Sequence, residues 1–213
     1  IIDTSVAFRT NPDWVFGFPE YGPGHREKII NAKRVSNPGC YACGAISILR
    51  PLVHSGIILS SHAATINAVS GYSGGGKKLI ATYENTEAKD ESNLAYYHYA
   101  LNLEHKHTEE IRVHSGLLKR PLFVPSVGRY YKGMIVQIPI QLSMLPGNLK
   151  PLDIQKVIER HYEGCRFVTV AEPQDLEDIS LLMPEDLNDT NELRLHIFGN
   201  VDRGQAVLMG LLD

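Results

Sequence analysis

Cysteine is scarce in this chain, with three residues among 213, and long apolar runs are absent. Three cysteines are too few for a disulfide framework in a chain of this length, which indicates a reducing compartment. No apolar run approaches the roughly 20 residues that cross a bilayer, and no signal peptide is visible, so we expect no membrane partner. The sequence also shows no internal repeat and no low-complexity tract.

An excess of positive charge is lacking as well. The chain carries 21 Lys and Arg residues against 24 Asp and Glu residues, a formal net charge of −3, and the basic residues are scattered. Nucleic acids and anionic membranes require a clustered basic field, so we expect neither as a partner. What is present is a hydrophobic content of 43%. That is enough for a globular core in one domain, or in one domain plus part of another.

The most informative stretch is residues 36–44, Ser-Asn-Pro-Gly-Cys-Tyr-Ala-Cys-Gly, which precedes an apolar segment with a helical pattern. Asn37 suits the N-cap of a helix and Pro38 suits its first position. Gly56 is a suitable end, and Pro51 predicts a kink inside the helix.

Cys40 would then lie among the unpaired N–H groups of the first helical turn. Those donors and the positive end of the helix dipole favour the thiolate, which is the nucleophilic form. Two other roles remain open for this cysteine. It could be a small apolar core residue, or it could form a C-x-x-C redox pair with Cys43. The absence of a preceding Trp and of an intervening Pro counts against the redox pair.

A glycine-rich stretch, residues 71–78, directly follows a predicted strand over residues 57–70. It nearly matches a phosphate-binding loop, but Lys78 stands where that loop needs a hydroxyl for magnesium. We favour a loop that faces a ligand or cofactor, since glycine brings backbone N–H groups close to an anion. A nucleotide triphosphate loop and a plain tight turn remain as alternatives.

Histidine and glutamate cluster in residues 104–111. On a helix, Glu110 lies three residues beyond His107, where a carboxylate could orient the imidazole and raise its basicity. A base oriented by an acid is what a cysteine nucleophile needs. The alternatives are a metal site built from His105, His107 and His114, or surface histidines of no special role. No further ligand stands at a convincing spacing, so we predict no metal.

The rest of the chain predicts a sheet with few helices. Residues up to 34 are turn-rich, and within them Arg9, Glu20 and Arg26 are the charged groups best able to meet a ligand, although we favour a solvated surface position for Arg26. Residues 83–104, with tyrosines around His98, predict a packed amphipathic helix. We predict further strands over residues 1–5, 122–125, 134–142, 166–170, 192–198 and 205–212, and a helix over 152–162 that stops at Gly164. This pattern favours a mixed or mainly antiparallel sheet with helices on one face.

Residues 36–42, 70–77 and 105–111 together resemble the N-acetyl-gamma-glutamyl-phosphate reductases of arginine biosynthesis in content, order and spacing. Residues 3–9 and 16–20 extend the likeness to essentially all 213 residues. Residues 124–128 and 132–134 are closer to the shorter of the two subfamilies.

The resemblance implies an α/β protein with an α+β catalytic domain of the glyceraldehyde-3-phosphate-dehydrogenase type. Residues 1–36 would be the remnant of an NADP-binding Rossmann domain with its connecting loop, and residues 37–213 the catalytic and oligomerisation domain. The family's G-x-G-x-x-G segment and its closing Asn-Leu-Gly-Lys-Gly-like segment are not in this sequence. We therefore expect a fragment of a longer protein that alone binds NADPH poorly and turns over little.

The resemblance also implies a reaction. Cys40 would attack the carbonyl of N-acetyl-glutamyl 5-phosphate, phosphate would leave, and hydride from NADPH would reduce the thioester to N-acetyl-glutamate 5-semialdehyde. The implied catalytic residues are Cys40, His107 and Glu110. The implied substrate-binding residues are Arg9, Asn37, Tyr41 and Glu20. The implied residues for NADP(H) are Ser5, Ser70, Gly71 and Gly74.

Several alternatives stay open beside this interpretation. A related reductase could act on N-acetyl-aminoadipyl phosphate or aspartyl phosphate, or the chain could be a catalytically silent structural fragment. We expect a homo-oligomer, either a dimer or a tetramer, in the cytoplasm, or in mitochondria if the source is eukaryotic. Because Cys43 replaces the threonine usual in the family, a reversible Cys40–Cys43 disulfide that switches the enzyme off is a further hypothesis.

Overall fold

The structure is a computed structural model that describes residues 1–84, 94–172 and 181–213. Part of the helix predicted over residues 83–104 lies outside the described residues.

A small parallel sheet contains the first residues of the chain. It consists of β1 (Ile2–Asp3), β2 (Val15–Phe16) and β3 (Val35–Ser36), in the order β1-β3-β2. The segment between β2 and β3, predicted to be turns, contains the short helix α1 (His25–Asn31). This helix begins directly after Gly24, whose φ of 70° turns the chain into the first helical residue.

The main sheet has seven strands in the order β5-β6-β4-β7-β10-β9-β8. The strands are β4 (Thr65–Gly71), β5 (Tyr96–His98), β6 (Leu122–Gly128), β7 (Met134–Gln141), β8 (Val168–Val170), β9 (Leu193–Asn200) and β10 (Gln205–Leu212). The β4–β6 and β8–β9 pairs are parallel, and the other four are antiparallel. The prediction of a mixed, mainly antiparallel sheet is confirmed.

Two helices, α2 (Cys40–His54) and α5 (Pro151–Tyr162), pack on one face of this sheet. Their apolar side chains form the core with the inward side chains of the strands. Ile46, Leu49, Ile154 and Ile158 are fully buried there. Each such side chain contributes about 1.5–3 kcal/mol on leaving water, so this contact anchors the helix that carries Cys40.

The start of α2 differs from the sequence prediction. The helix begins at Cys40 with Gly39 as its N-cap, so Asn37 is not the cap and Pro38 is not the first helical residue. The backbone N–H of Asn37 donates to the carbonyl of Asp3 at 2.7 Å, which keeps residue 37 beside the small sheet. The helix ends at His54, and Gly56 follows with φ 78°, as expected.

The helix α2 continues through Pro51. Proline has no N–H, so the carbonyl of Ser47 lacks its usual partner inside the helix. The hydroxyl of Tyr162, at the end of α5, donates to that carbonyl at 2.8 Å. The proline is therefore accommodated by a hydrogen bond between the two core helices.

The region before His107 corrects another prediction. Tyr96–His98 forms β5, an edge strand that pairs antiparallel with β6, and not a helix. The two further helices are α3 (Gly76–Glu84), directly after the glycine-rich turn, and α4 (His107–Ser115). The predicted strand over residues 57–70 begins only at Thr65.

Candidate active site

A cleft of about 790 Å³ opens at the first turn of α2. Its walls come from that turn, the glycine-rich loop, α3, β5 and the start of α4. Cys40, His107, Arg9 and Ser70 are among its lining residues. The structure therefore brings together residues that are far apart in sequence and that the motifs had singled out separately.

Cys40 is the first residue of α2 and lines this cleft. Burial raises the pKa of the Cys40 thiol more than the backbone N–H groups of Tyr41 and Cys40 lower it. The N–H groups at the helix start thus lower the pKa of Cys40, as the sequence predicted, but burial raises this pKa by more. The resting form of Cys40 is the thiol, which needs a base to become a nucleophile.

Glu110 fixes the entrance to α2. One of its carboxylate oxygens accepts a hydrogen bond from the N–H of Gly39 at 2.8 Å, and the other accepts one from Arg9 Nη1 at 3.2 Å. Glu110 and Arg9 are 1% and 8% exposed, so this is a buried ion pair. Burial raises the pKa of Glu110, while the Gly39 N–H and Arg9 oppose that shift.

The prediction that Glu110 orients His107 is wrong. Both carboxylate oxygens of Glu110 bond elsewhere, and Nδ1 of the buried His107 has no hydrogen-bond partner among the described residues. The imidazole packs instead against the ring of Tyr41, with centroids 5.9 Å apart, and against Gly39. Burial lowers the pKa of His107 to about 3, with smaller contributions from His105 and Arg9. His107 is therefore neutral at pH 7, and one of its ring nitrogens carries a lone pair.

His105 links the start of α4 to β5. Its Nδ1 accepts the backbone N–H of His107 at 3.2 Å, so the proton of the neutral ring is on Nε2. That nitrogen lies 3.3 Å from the hydroxyl of Tyr99. Burial lowers the pKa of His105 to about 4, which keeps this ring neutral.

Arg9 is held from several sides. Besides Glu110, it donates from Nη2 to the carbonyl of Thr4 at 3.2 Å. Its own carbonyl lies 2.6 Å from Nε2 of His114, a ring that stacks on Phe16. Because His114 is engaged in this contact, it is not available for the alternative metal site considered from the sequence. The described residues contain no group of side chains that could hold a metal ion.

The charge on the walls of the cleft has one sign. Arg9, Lys78 and Lys106 line it, and no carboxylate is found among its described lining residues. Lys78 and Lys106 are exposed, and neither forms an ion pair within residues 1–84, 94–172 and 181–213. The cleft therefore suits an anionic ligand.

The glycine-rich loop forms the floor of the cleft through Ser70, Gly74 and Gly75. A Cβ added at Gly74 would lie 2.6 Å from Oγ of Ser70, so the backbone and the hydroxyl are in close contact. Such a floor, beside Cys40 and without bulky side chains, fits a flat cofactor ring. Gly71 has a different function, because a Cβ there would lie 2.6 Å from the backbone of Lys132.

The remaining predicted ligand residues lie elsewhere. Asn37 and Glu20 line a second cleft of about 730 Å³, which Cys40 and Cys43 also border. A carboxylate oxygen of Glu20 accepts the backbone N–H groups of Arg166 and Phe167 at 2.9 and 2.8 Å, a structural contact at the approach to β8. Ser5 is exposed, caps a short 3-10 turn and lines neither cleft.

Cys43 does not have the properties of a redox partner. All three cysteines are free, and burial together with the charge of Glu110 raises the pKa of Cys43 to about 12. A thiol that resists ionisation is a poor attacking group for disulfide exchange. The disulfide with Cys40 stays a prediction.

Tyr97 and Tyr99 were missed as site residues. Tyr97 lies in the edge strand β5 and Tyr99 directly follows it, and both line the cleft, while Tyr96 and His98, which alternate with them, are exposed. Their spacing of two residues is the signal of a strand face, and it was present in the sequence. The prediction of a helix over residues 83–104 led us to overlook this alternation.

This chain is similar to known proteins in sequence and in fold. The family profile described as "Semialdehyde dehydrogenase, dimerisation domain" matches residues 40–213. The chain is 43% identical over 213 residues to the N-acetyl-gamma-glutamyl-phosphate reductase of Burkholderia lata, and it covers 67% of that protein. It is 45% identical to N-acetyl-gamma-glutamyl-phosphate reductase 2 of Nostoc sp., covering 68% of it. In both cases the whole of this chain is aligned.

Solved structures share the fold. Aspartate semialdehyde dehydrogenase II of Vibrio cholerae superposes with a TM-score of 0.69 at 13% identity, over all of this chain and 66% of the other. The enzyme from Francisella tularensis gives 0.66 at 11% identity, over all of this chain and 69% of the other. The predicted fold class is confirmed. No helix in the described ranges is long and apolar enough to span a membrane. On the strength of its full-length similarity to these reductases, the chain belongs to the N-acetyl-gamma-glutamyl-phosphate reductase family.

Proposed function

We propose that this chain carries the catalytic residues for the NADPH-dependent reduction of N-acetyl-glutamyl 5-phosphate to N-acetyl-glutamate 5-semialdehyde and phosphate. The observation that carries the proposal is the cleft at the start of α2. There a thiol on the first helical residue, a neutral buried imidazole and a wall of positive charge share one cavity. A cysteine nucleophile, a base and an anionic acyl phosphate are what this reaction brings together.

In the first half of the reaction, the thiol of Cys40 loses its proton to neutral His107 as the sulfur attacks the acyl carbonyl. The N–H groups of Cys40 and Tyr41, at the open end of α2, stabilise the oxyanion that forms. The carbon–oxygen bond to phosphate then breaks, which leaves an acyl thioester on Cys40 and releases phosphate. Glu110 contributes by fixing Gly39, the residue just before the nucleophile.

The second half of the reaction requires a hydride at the thioester carbon, which a bound nicotinamide cofactor would supply. Ser70 and Gly74 are the residues that would hold its ring, because they form the open floor of the cleft. As the carbon–sulfur bond breaks, the aldehyde leaves and Cys40 recovers the proton held by His107. The balance is one acyl phosphate, one hydride and one proton in, and one aldehyde and one phosphate out, with the proton taken up from solvent by the departing phosphate.

The first half-reaction tests the proposal without the cofactor. Incubation of the chain with N-acetyl-glutamyl 5-phosphate should add one acyl group to the peptide that contains Cys40 and release one equivalent of phosphate. The modification, located by peptide mass, should disappear in Cys40→Ser and persist in the matched variant Cys43→Ser. Acylation in Cys40→Ser equal to that of the unmodified chain would contradict the proposal.

His107→Gln keeps a polar side chain of similar length, so it tests the base. General-base catalysis by a positioned histidine contributes about 10²- to 10⁴-fold, and we expect acylation of Cys40 to slow by that range. Raising the pH should restore part of the lost rate, because the thiolate then forms without a base. A rate unchanged by the substitution would remove His107 from the mechanism.

We also propose that the chain self-associates through the face of the main sheet that α2 and α5 leave open. Pro139 of β7, Val207 of β10 and Phe198 of β9 lie side by side there, since Val207 pairs with both of the others. They line a shallow groove of about 670 Å³. The matching family profile is described as a dimerisation domain, which favours a second copy as the occupant.

The domain layout predicted from the sequence, with a cofactor-domain remnant over residues 1–36 and a catalytic domain over 37–213, is retained as part of this proposal. The profile match that starts at residue 40 supports it.

A further inference from the structure

The sequence assigned substrate anions to Arg9, but both of its terminal nitrogens already donate hydrogen bonds inside the protein. Nη1 bonds to Glu110 and Nη2 bonds to the carbonyl of Thr4. Nε is buried and has no partner within the described residues. The charge of Arg9 is also balanced by the buried carboxylate of Glu110. Arg9 thus has a structural function, since its ion pair with Glu110 helps to fix the start of α2 beside α4.

Lys106 is in the opposite situation. It is the N-cap residue of α4, it lines the same cleft as Cys40, and it is exposed. Within the described ranges no carboxylate pairs with it. The residue that follows it, His107, packs against Gly39, so the backbone of Lys106 is fixed close to the start of α2.

We propose that Lys106, and not Arg9, holds the phosphoryl group of the substrate beside Cys40. The inference rests on the proposed function and names the residue that recognises the leaving group. A compact, strongly hydrated ammonium on a flexible stem suits a group that must bind and then depart as phosphate. The charge of Lys106 also lowers the pKa of Cys40, ahead of that of Arg9, in agreement with its proximity to the thiol.

Among the described residues that line the cleft, Lys78 is the second cation without an ion pair, and it lies on α3. Lys106 directly precedes His107, which packs against Gly39 next to Cys40, whereas Lys78 follows the glycine-rich loop. The leaving phosphate must be next to the sulfur that displaces it. This places the phosphoryl group at Lys106 and leaves Lys78 for an anionic group further from the reacting carbon.

Alkylation of Cys40 tests the proposal without turnover. Iodoacetate carries a negative charge and iodoacetamide does not, while both react with the same thiolate. The ratio of their rates therefore reports the local charge and cancels any change in the pKa of Cys40. Removing one unit charge a few ångströms away should lower this ratio about three- to tenfold in Lys106→Met. In Lys119→Met, an exposed lysine outside the cleft, the ratio should be unchanged.

Inorganic phosphate gives the second readout. It should protect Cys40 from iodoacetamide in the unmodified chain and in Lys119→Met, and it should protect much less in Lys106→Met. Labelling is located by peptide mass so that Cys43 and Cys165 are not counted. The proposal would be overturned if Lys106→Met left unchanged both the ratio of the two alkylation rates and the protection of Cys40 by phosphate. Loss of both in Lys78→Met but not in Lys106→Met would overturn it equally.

Kinetics in the reverse direction separate this inference from the proposed function. With semialdehyde, phosphate and oxidised cofactor, Lys106→Met should raise KM for phosphate about tenfold or more, and it should leave KM for the semialdehyde and the cofactor nearly unchanged. A rise confined to KM of the semialdehyde would assign Lys106 to the carboxylate and overturn the inference. If N-acetyl-glutamyl 5-phosphate did not acylate Cys40 in the unmodified chain, but phosphate still protected Cys40 through Lys106, the proposed substrate would fail while the anion site stood.

Discussion

Gly39 is the residue at which the groups around the nucleophile meet. Its N–H donates to Glu110, and its carbonyl accepts the N–H of Cys43 at 2.9 Å. The imidazole of His107 and Nη1 of Arg9 occupy the space that a side chain would fill, since an added Cβ would lie 2.6 Å from that nitrogen. The glycine is therefore required by close approach of side chains, and its φ of −77° is open to any residue.

We predict that Gly39→Ala lowers the free energy of unfolding by about 1–3 kcal/mol, the range for overpacking a filled site. It should also slow acylation of Cys40, because His107 has to move away from the thiol. Urea unfolding and the acylation assay measure the two effects. Gly22→Ala is the matched control, since nothing lies within 4 Å of its added Cβ. Equal stability of the two variants would contradict the packing described here.

The buried histidines also make the fold sensitive to acid. The pKa of His107 is lowered to about 3 and that of His105 to about 4, both mainly by burial. Their unfolded forms titrate near pH 6.5, so between those values the unfolded chain binds protons that the folded chain does not. Stability is therefore lost as the pH falls from about 6.5 towards 3, at about 1.4 kcal/mol per pH unit for each imidazole.

We predict that His107→Gln reduces the slope of unfolding free energy against pH by about one proton between pH 6 and 4. Urea unfolding at several pH values measures the slope. The exposed His98 supplies the control, and His98→Gln should leave the slope unchanged. Glu110 acts in the opposite direction because its pKa is raised, so it cannot produce the same loss. A slope that His107→Gln does not alter would show that this imidazole is not buried as a neutral group.

Single residues show the reach and the limit of sequence reasoning. The positions of Cys40 at a helix start and of His107 on a helix were predicted from local motifs, because both are local properties of the chain. The hydrogen-bond partners of Glu110 were missed. Its spacing of three residues from His107 places the two side chains on one face of a helix, but it does not establish a hydrogen bond between them. Its two partners, Gly39 and Arg9, lie 71 and 101 residues away in sequence. Only the folded chain brings them within reach.

Among the elements, α2 and α5 depend on each other through Pro51. The hydroxyl of Tyr162 replaces the N–H that Pro51 lacks, at a buried position. Tyr162→Phe should leave the carbonyl of Ser47 without a partner and cost about 1–3 kcal/mol. In a Pro51→Ala background an N–H returns to that carbonyl, and we predict that the cost of Tyr162→Phe becomes smaller. Urea unfolding of the two single variants and the double variant completes the cycle, and equal costs in both backgrounds would refute the pairing.

Elements with a complete local signature were predicted well. The helix α5 and the strand β10 were placed to within a residue, since α5 has a periodic apolar pattern that stops before Gly164 and β10 is a nearly continuous apolar run. The strand β5 was not, because three residues on the edge of a sheet derive their structure from β6. The helix α1 was missed for a related reason, since the prolines and glycines before it obscured seven residues of helix.

At the scale of the molecule, the open face of the sheet is the expected contact between copies. Val207→Lys places a charge at the centre of its apolar groove and should weaken self-association at least about tenfold, because a buried charge without a partner is costly. Analytical ultracentrifugation over a range of concentrations measures the association. Leu118→Lys is the control, at a side chain that is 71% exposed and outside the groove. If the two variants associated equally well, the contact between copies would have to lie on another surface.

The ion pair between Arg9 and Glu110 has a consequence for recombination. A crossover after residue 36 would follow the boundary between the two predicted domains, and it would be the natural choice for building chimeras from two relatives. The pair spans that boundary, and so does the contact between His114 and the carbonyl of Arg9. A chimera that kept Glu110 and lost the arginine would bury a carboxylate without its counter-charge beside the nucleophile. Positions 9 and 110 should therefore be inherited together, whichever parent supplies the rest.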